Sequence, residues 1–279
     1  MLKTITPQML EGMDWENPIS TSCSTGGLPL ARTSVPRWKT PCRNNQILDP
    51  TMSDTDTETE YNYSRFTMAP DPVDYAGPKA GEQMPPWEGV DVNGNSLSSA
   101  LFDGKYVVME TGSYTCPMYA SAIDEMTNLT EEFPEVAFLV IYTREAHPGA
   151  RLGAHRSMDE KKAAAQSVQN DYHEKRTIVV DNLEGSIHQA LGGLPNQFYV
   201  LSPSGRVMMR GDWTKPPVIA DLLRKGDPDL IIEHQFYDPK RPPFWKFFGV
   251  LRKGGIGAIW DFVRSYGAFR RQQNQKEKH

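Results

Sequence analysis

Cysteine is scarce in this chain, with three residues in 279, at positions 23, 42 and 116. That is too few for a disulfide scaffold, and an odd count leaves at least one thiol free. Long apolar runs are also missing. The longest, Val136 to Tyr142, has the length of a strand and falls well short of the ~18–20 residues of a membrane-spanning helix. Positive charge is not in excess: 30 basic residues stand against 35 acidic ones, a net charge of −5, which points away from nucleic acid. Residues 1–20 carry Glu11, Asp14 and Glu16 and no apolar stretch, so neither a secretory signal nor a transit peptide is read there. A soluble, cytoplasmic protein is the expectation. The hydrophobic fraction of 38% suffices for one medium domain and leaves part of the chain outside its core.

Proline placement divides the chain. Eleven of the 22 prolines fall within residues 1–86, six within 216–243 and five between those stretches. The first stretch also holds an acidic tract, Asp49 to Glu60, with five carboxylates and no base. Such composition cannot bury enough apolar surface to offset chain entropy, so residues 1–75 read as a largely disordered segment. Residues 76–226 read as the folded domain and 227–279 as a basic, aromatic helical tail.

Within the domain the periodicities alternate. Val90-Asp91-Val92 before Asn93-Gly94-Asn95 predicts a short strand and a tight turn. Lys105 to Thr111 predicts a strand running into Gly112-Ser113, and Ile123, Met126, Leu129 and Phe133 place a helix over 117–133. Val136 to Tyr142 is continuously apolar, as a strand covered on both faces would be. Ser157 with Glu160 forms a capping box ahead of a helix carrying Ala164, Val168 and Tyr172. Thr177–Val180 and Phe198–Leu201 predict two more strands, and Ser202-Pro203-Ser204-Gly205 turns the chain into Arg206–Met209 to close a hairpin. This order predicts an α/β domain, a central mixed sheet flanked by helices. With a thiol at the first strand-to-helix junction, it resembles the thioredoxin-like fold.

From Asp238 onward the tail has ten bases and three acids, a net +7 that leaves −12 on the rest of the chain. Ile256, Ile259, Trp260 and Val263 share one helical face. Such a helix either lies on an anionic membrane surface or a protein partner, or packs back on its own acidic domain, and packing back is the favoured expectation.

Cys116 is the main chemical candidate. It follows a strand and a turn, and Pro117 suits the first position of a helix, so the thiol faces unpaired backbone N–H groups and the positive end of the helix dipole. Both favour the reactive thiolate. Position 119 is Tyr119 rather than a second cysteine, which excludes dithiol exchange within the motif. A peroxidatic P-x-x-x-[TS]-x-x-C pattern is half met, with Ser113 at the hydroxyl position but Met109 where the proline belongs.

Gly112-Ser113-Tyr114-Thr115-Cys116-Pro117 resembles the active-site turn of the iodothyronine deiodinase family, with Cys116 where the animal enzymes carry selenocysteine. Tyr142-Thr143-Arg144-Glu145-Ala146-His147-Pro148 is similar to the family's Y-x-x-E-A-H-P segment. His155-Arg156-Ser157 resembles its second-histidine segment, and Val179-Val180-Asp181 and Phe198-Tyr199-Val200-Leu201 continue the match. The resemblance implies a thiol-dependent oxidoreductase performing reductive deiodination of an iodinated aromatic, with no bound cofactor and an external thiol as reductant. Cys116 would be the nucleophile, in a catalytic turn with Thr115. Glu145 and His147 would be the proton-delivery pair, and His155 a second relay or positioning group. Ser113, Tyr114, Pro195 and Gln197 would line the substrate, and a homodimer is implied. The chemistry is sound: a soft thiolate attacks polarisable iodine, and a histidine oriented by a carboxylate supplies the ring's proton.

The sequence departs from that family in three places. Seven residues separate His147 from His155 where the animal enzymes insert a longer loop, Gln197 stands where they carry an arginine, and their N-terminal membrane helix is not seen. Leu194-Pro195 falls where thioredoxin folds place a cis-proline. A peroxiredoxin-like peroxidase and a redox-inactive binding module remain the alternatives. Cys23 and Cys42 could act as resolving thiols but read more simply as incidental. Glu145, His147 and His155 make a weak two-His, one-carboxylate metal pattern. Asp181 reads as a capping group, and His173 and His188 as solvated helix residues.

Overall fold

A computed structural model of the chain describes residues 61–66, 76–233 and 242–276. Its centre is a pair of parallel strands, β3 (Val107–Gly112) and β4 (Ala137–Tyr142), matched residue for residue from Val107↔Ala137 to Gly112↔Tyr142. Strand β5 (Thr177–Val180) continues the parallel set beside β4. On the other side of β3, β6 (Phe198–Leu201) and β7 (Val207–Gly211) add an antiparallel hairpin. A short antiparallel pair, β1 (Glu88–Val90) and β2 (Ser96–Ser98), extends the far edge, giving the order β2-β1-β5-β4-β3-β6-β7.

The helices follow from the strand steps. Crossovers of one hand that step in the same direction put their helices on the same face. Helix α1 (Pro117–Glu132) joins β3 to β4, and α2 (Met158–Tyr172) leads from β4 to β5. Both pack on the face that carries Val140, Tyr142, Ile178 and Val180. Helix α4 (Pro216–Lys225) returns to that face after β7, and its Ile219, Ala220 and Leu223 meet Met126 and Leu129 of α1. The opposite face holds Met109, Leu139, Ile141 and Tyr199, covered by Trp87 and by the short helix α3 (Ser186–Ala190). This is the thioredoxin-like arrangement expected, with the carboxyl ends of the parallel strands opening at one end of the sheet, where α/β folds place their sites.

Local signals held in detail. Ser157 caps α2, its Oγ accepting from the Glu160 N–H at 3.2 Å, while Glu160 Oε2 accepts from the Arg156 N–H at 2.8 Å. Asp91 ties the β1–β2 turn through the N–H groups of Asn93 and Asn95, both at 2.8 Å.

The tail forms α5 (Phe244–Gly254) and α6 (Ile256–Lys276), separated at Gly255, whose φ of +110° suits glycine. Helix α5 packs against α1 and buries Phe247, Val250 and Leu251. The stripe of Ile256, Ile259, Trp260 and Val263 is not the buried one: Ile256 is 60% exposed, and the seam consists of Gly255, Ala258 and Phe262. Among the described residues no helix is long and apolar enough to cross a membrane. Residues 61–66, inside the stretch that composition assigns to a disordered segment, lie against the domain, with Asn62 donating to the Leu183 carbonyl at 2.7 Å.

Candidate active site

Cys116 occupies the N-cap of α1 with extended backbone (φ −90°, ψ 109°), and Pro117 starts the helix. The backbone N–H groups of Met118 and Tyr119 are directed at the sulfur, as a helix start requires. Yet the residue is only 3% exposed. Burial pushes the thiol up to about 12, the two N–H groups offset part of that rise, and the Glu110 and Glu145 carboxylates add to it. The expectation of a favoured thiolate is therefore corrected for this arrangement. The helix start favours the anion, but exclusion of water outweighs it.

The turn bearing Cys116 is stitched to the loop after β4 by side chains of the motif itself. Ser113 Oγ accepts from the Ala146 N–H and Thr115 Oγ1 from the His147 N–H, each at 3.0 Å. In return Glu145 Oε2 accepts from the Thr115 N–H at 2.9 Å and from its hydroxyl at 2.6 Å. Ser113 thus acts as a brace for the Glu145–His147 loop, and Thr115 connects the Cys116 turn to that loop.

Glu145 is the hub. Its Oε1 accepts from the Tyr142 hydroxyl and lies 3.2 Å from His155 Nε2, with both side chains buried. That nitrogen is within ion-pair distance but off the line of a good hydrogen bond, and among the described residues it has no other partner. Burial alone would raise the Glu145 carboxyl, but the donors on His155, Thr115 and Tyr142 outweigh it and hold the group below the usual carboxylate range. The imidazole paired with Glu145 is therefore that of His155. Among the described residues, His147 reaches this network through its backbone. Its ring lies 4.2 Å from the Phe66 ring and 5.9 Å from Phe262, and its Nδ1 has no partner among the described residues. Burial pushes this imidazole down to about 3, so it is neutral.

The remaining expected residues divide. Tyr114 stacks on Tyr172 at 5.1 Å, its hydroxyl donates to Asp171, and Lys253 of α5 sits 5.1 Å above its ring. Gln197 is buried, with its backbone N–H donating to Thr111 Oγ1 at 2.9 Å and its Nε2 unpartnered among the described residues. Pro195 is exposed, and its peptide bond is trans, not cis. The preceding carbonyl, of Leu194, is held in place by the Thr111 hydroxyl at 3.0 Å and His188 Nε2 at 2.8 Å, which fixes the chain without the cis isomer. His188 is also corrected: it is fully buried between that carbonyl and the Tyr61 hydroxyl, because Asp181 binds the N–H groups of Ile187 and His188 and draws α3 onto the sheet. Asp181 thus does the capping expected of it, and His173 is exposed at the end of α2. Among the described residues no three His, Cys, Asp or Glu side chains could hold a metal ion. Cys23 and Cys42 lie outside the described residues.

Two features were missed. Tyr142, at the end of an apolar strand, read as core, yet it holds Glu145. Below Cys116, Arg176 is buried between Glu110 at 2.5 Å and Glu174 at 2.6 Å. Tyr119 donates to Glu174 at 2.8 Å, and Asn196 to Glu110 at 2.9 Å. The available signal was a carboxylate inside the strand Val107–Gly112, where both faces are apolar.

The class these features define is a thioredoxin-like protein with one buried cysteine at a helix start and a carboxylate–histidine pair beside it. The Iodothyronine deiodinase family profile matches residues 73–218, and the chain belongs to that family. It is similar to the type I iodothyronine deiodinase of Xenopus laevis, 26% identical over 160 residues that cover 52% of this chain and 63% of that protein. It is also similar to the thyroxine 5-deiodinase of Sus scrofa, 29% identical over 115 residues, 38% of this chain and 37% of that protein. The chain thus spans less than two thirds of the length of these relatives. Among solved structures it resembles the thioredoxin domain of a thiol-disulfide oxidoreductase from Bacteroides vulgatus, with a TM-score of 0.42 and 16% identity over 53% of this chain and 96% of that one.

Proposed function

We propose that the protein is a thiol-dependent reductive dehalogenase acting on an iodinated aromatic, with Cys116 as nucleophile. The observation that carries this reading is the hydrogen-bonded link from the Cys116 turn through Thr115 to Glu145, whose other oxygen faces His155 at 3.2 Å. The Cys116 thiolate attacks iodine. The C–I bond breaks, an S–I bond forms, and the electron pair left on the ring carbon takes a proton. The sulfenyl iodide is then attacked by an external thiol, releasing iodide and leaving a mixed disulfide. A second thiol frees Cys116 as the disulfide of the reductant. The ring is reduced by two electrons and two thiols are oxidised.

The residues suit separate parts of this cycle. Glu145 is held below the usual carboxylate range and its Oε1 lies 3.2 Å from His155 Nε2, which orients that imidazole for proton delivery. A neutral His147, tied through its backbone N–H to Thr115, can accept a hydrogen bond at Nδ1 and orient an aromatic hydroxyl. The test is iodide release from iodinated phenols and iodothyronines with excess dithiothreitol, alongside peroxide consumption, for wild type and Cys116→Ala. Iodide release that disappears in the variant is expected. Peroxide turnover dependent on Cys116, without iodide, would replace this reading with the peroxidase one, and residual iodide release in the variant would overturn the mechanism. The tail adds a docking proposal: Trp245 is 77% exposed next to Lys246 in a segment of net positive charge, which suits a peripheral anionic membrane surface. Co-sedimentation with phosphatidylserine vesicles that is lost in Trp245→Ala tests it, and equal sedimentation of both proteins would refute it.

A further inference from the structure

We infer that residues 61–66 form a releasable strap that shuts the Cys116 site, so that reactivity is governed by its displacement. The strap crosses the loop after β4 that carries Glu145 and His147, the start of α3, and α6. The Tyr61 hydroxyl pairs with His188 Nδ1 at 2.8 Å, and the Tyr61 ring fills the space at Gly185 so closely that a Cβ there would lie 2.0 Å from it. Arg144, one residue before Glu145, donates to the Tyr61 carbonyl at 3.0 Å and stacks its guanidinium over the rings of Tyr61 and Tyr63. The Tyr63 hydroxyl donates to the Ala146 carbonyl at 3.0 Å. Phe66 then lies on the His147 ring and stacks on Phe262 of α6. Arg65 closes the strap onto α6 by pairing with Asp261 at 2.7 Å.

Two observations show that the shut form is not the working one. The thiol and the carboxylate–histidine pair are all buried, so no reagent meets the sulfur until something moves. His147 Nδ1 is buried without a partner, a cost that water or a ligand removes once the strap lifts. The strap and Phe262 both lie outside residues 73–218, so the shutter is built from parts of the chain beyond the family match. The three rings are only half-buried, and the gain from covering them is opposed by the entropy of ordering the backbone that carries them, so release is within reach of a ligand or partner.

The inference rests on the proposed reading only in its consequence for turnover, because access to the thiol can be measured without any substrate. The full chain is alkylated with iodoacetamide at neutral pH, and Cys116 modification is followed by peptide mass spectrometry, which separates it from Cys23 and Cys42. Phe66→Ala is expected to raise the Cys116 rate by about tenfold or more, as a shift in the closed-to-open ratio requires. Arg65→Asp is expected to raise it, and adding Asp261→Arg to restore the wild-type rate. The charge pair decides the matter even if Phe66→Ala lowers the melting temperature, since Arg65 is largely exposed and its reversal leaves the core intact. Unchanged labelling in Arg65→Asp, or a rise that the second reversal does not correct, would overturn the strap. Faster labelling with no iodide release from any variant would instead remove the proposed reaction and leave the strap standing.

Discussion

Thr115→Val isolates the link between the Cys116 turn and its proposed proton source. Valine has nearly the shape of threonine, so packing is conserved while two hydrogen bonds are lost. One is the 2.6 Å bond from Thr115 Oγ1 to Glu145, and the other is the 3.0 Å bond that Oγ1 accepts from the His147 N–H. A hydrogen bond to a charged group contributes ~1.5–3 kcal/mol, and an orphaned buried N–H costs ~1–3 kcal/mol. The two share one atom and do not add fully, so the expected loss is about 2–4 kcal/mol, read by urea denaturation at pH 7. The loss also carries a pH signature. Glu145 is held below the usual carboxylate range, so its contribution is present above the unfolded pKa and disappears as pH falls through the folded one. The gap between wild type and Thr115→Val is therefore widest at neutral pH and narrows below about pH 4. Titrations elsewhere in the chain affect both proteins alike and cancel in the difference. Thr115→Ser keeps the hydroxyl and is expected to recover most of the stability. A gap of equal size at both pH values, or a serine variant as weak as valine, would refute the assignment of Thr115 as the bridge to an ionised Glu145.

Arg176→Met leaves Glu110 and Glu174 buried without their cation, and an unfolding free energy lower by about 3–5 kcal/mol is expected from denaturant titration. A loss under ~1 kcal/mol would mean that these carboxylates are hydrated or protonated. Burial pushes the imidazoles of His147 and His188 down to about 3, below their unfolded value. The unfolded chain therefore binds more protons below pH ~6.5, and stability falls toward acid by about 1.4 kcal/mol per pH unit for each histidine. His188→Gln should flatten that slope by one group's share, and an unaltered slope would show that His188 is not neutral in the fold. At Gly254 a Cβ would come within 2.4 Å of the His147 carbonyl oxygen, so Gly254→Ala should lower the melting temperature and increase Cys116 labelling together. A change in neither would mean that α5 does not press on the loop.

The sheet and its main helices were readable because their signals are local and strong. Val136 to Tyr142 is apolar on both faces since α1 and α2 cover one side and Trp87 and α3 the other. Ser157 and Glu160 announced α2 by the capping bonds they go on to make, Ser157 to the Glu160 N–H and Glu160 to the N–H of Arg156. Strand β2 carried no such signal. Ser96–Ser98 is short and mostly polar, and it is a strand only because β1 pairs with it. The tail misled for a different reason. Its visible apolar stripe is not the buried one, because the buried face is a close backbone contact. Gly254 accepts the Arg151 N–H at 2.9 Å, and Gly255 and Ala258 leave room for that approach. Small residues chosen for proximity have no hydropathy to display.

The site shows the same division between what a motif states and what only packing decides. The residue types at 113, 115, 116, 145, 147 and 155 were all legible. The partnership of Glu145 with His155 was not, since it depends on how the chain turns back after His147. Nor was the strap, whose contacts join residues more than eighty positions apart, from Tyr63 to Ala146 and from Arg65 to Asp261. The reactivity of Cys116 illustrates the consequence. A strand, a turn and Pro117 direct Met118 and Tyr119 N–H groups at the sulfur, and that half of its acidity can be read from six letters. The other half is solvent access, which the proposed strap and its seat on α6 would govern, and neither lies near Cys116 in sequence. With water excluded, burial outweighs the helix start and the thiol is neutral. With water admitted, the same N–H groups act without that opposition. The sequence motif therefore specifies a cysteine able to become a nucleophile, and the parts of the chain outside the family match determine when it does.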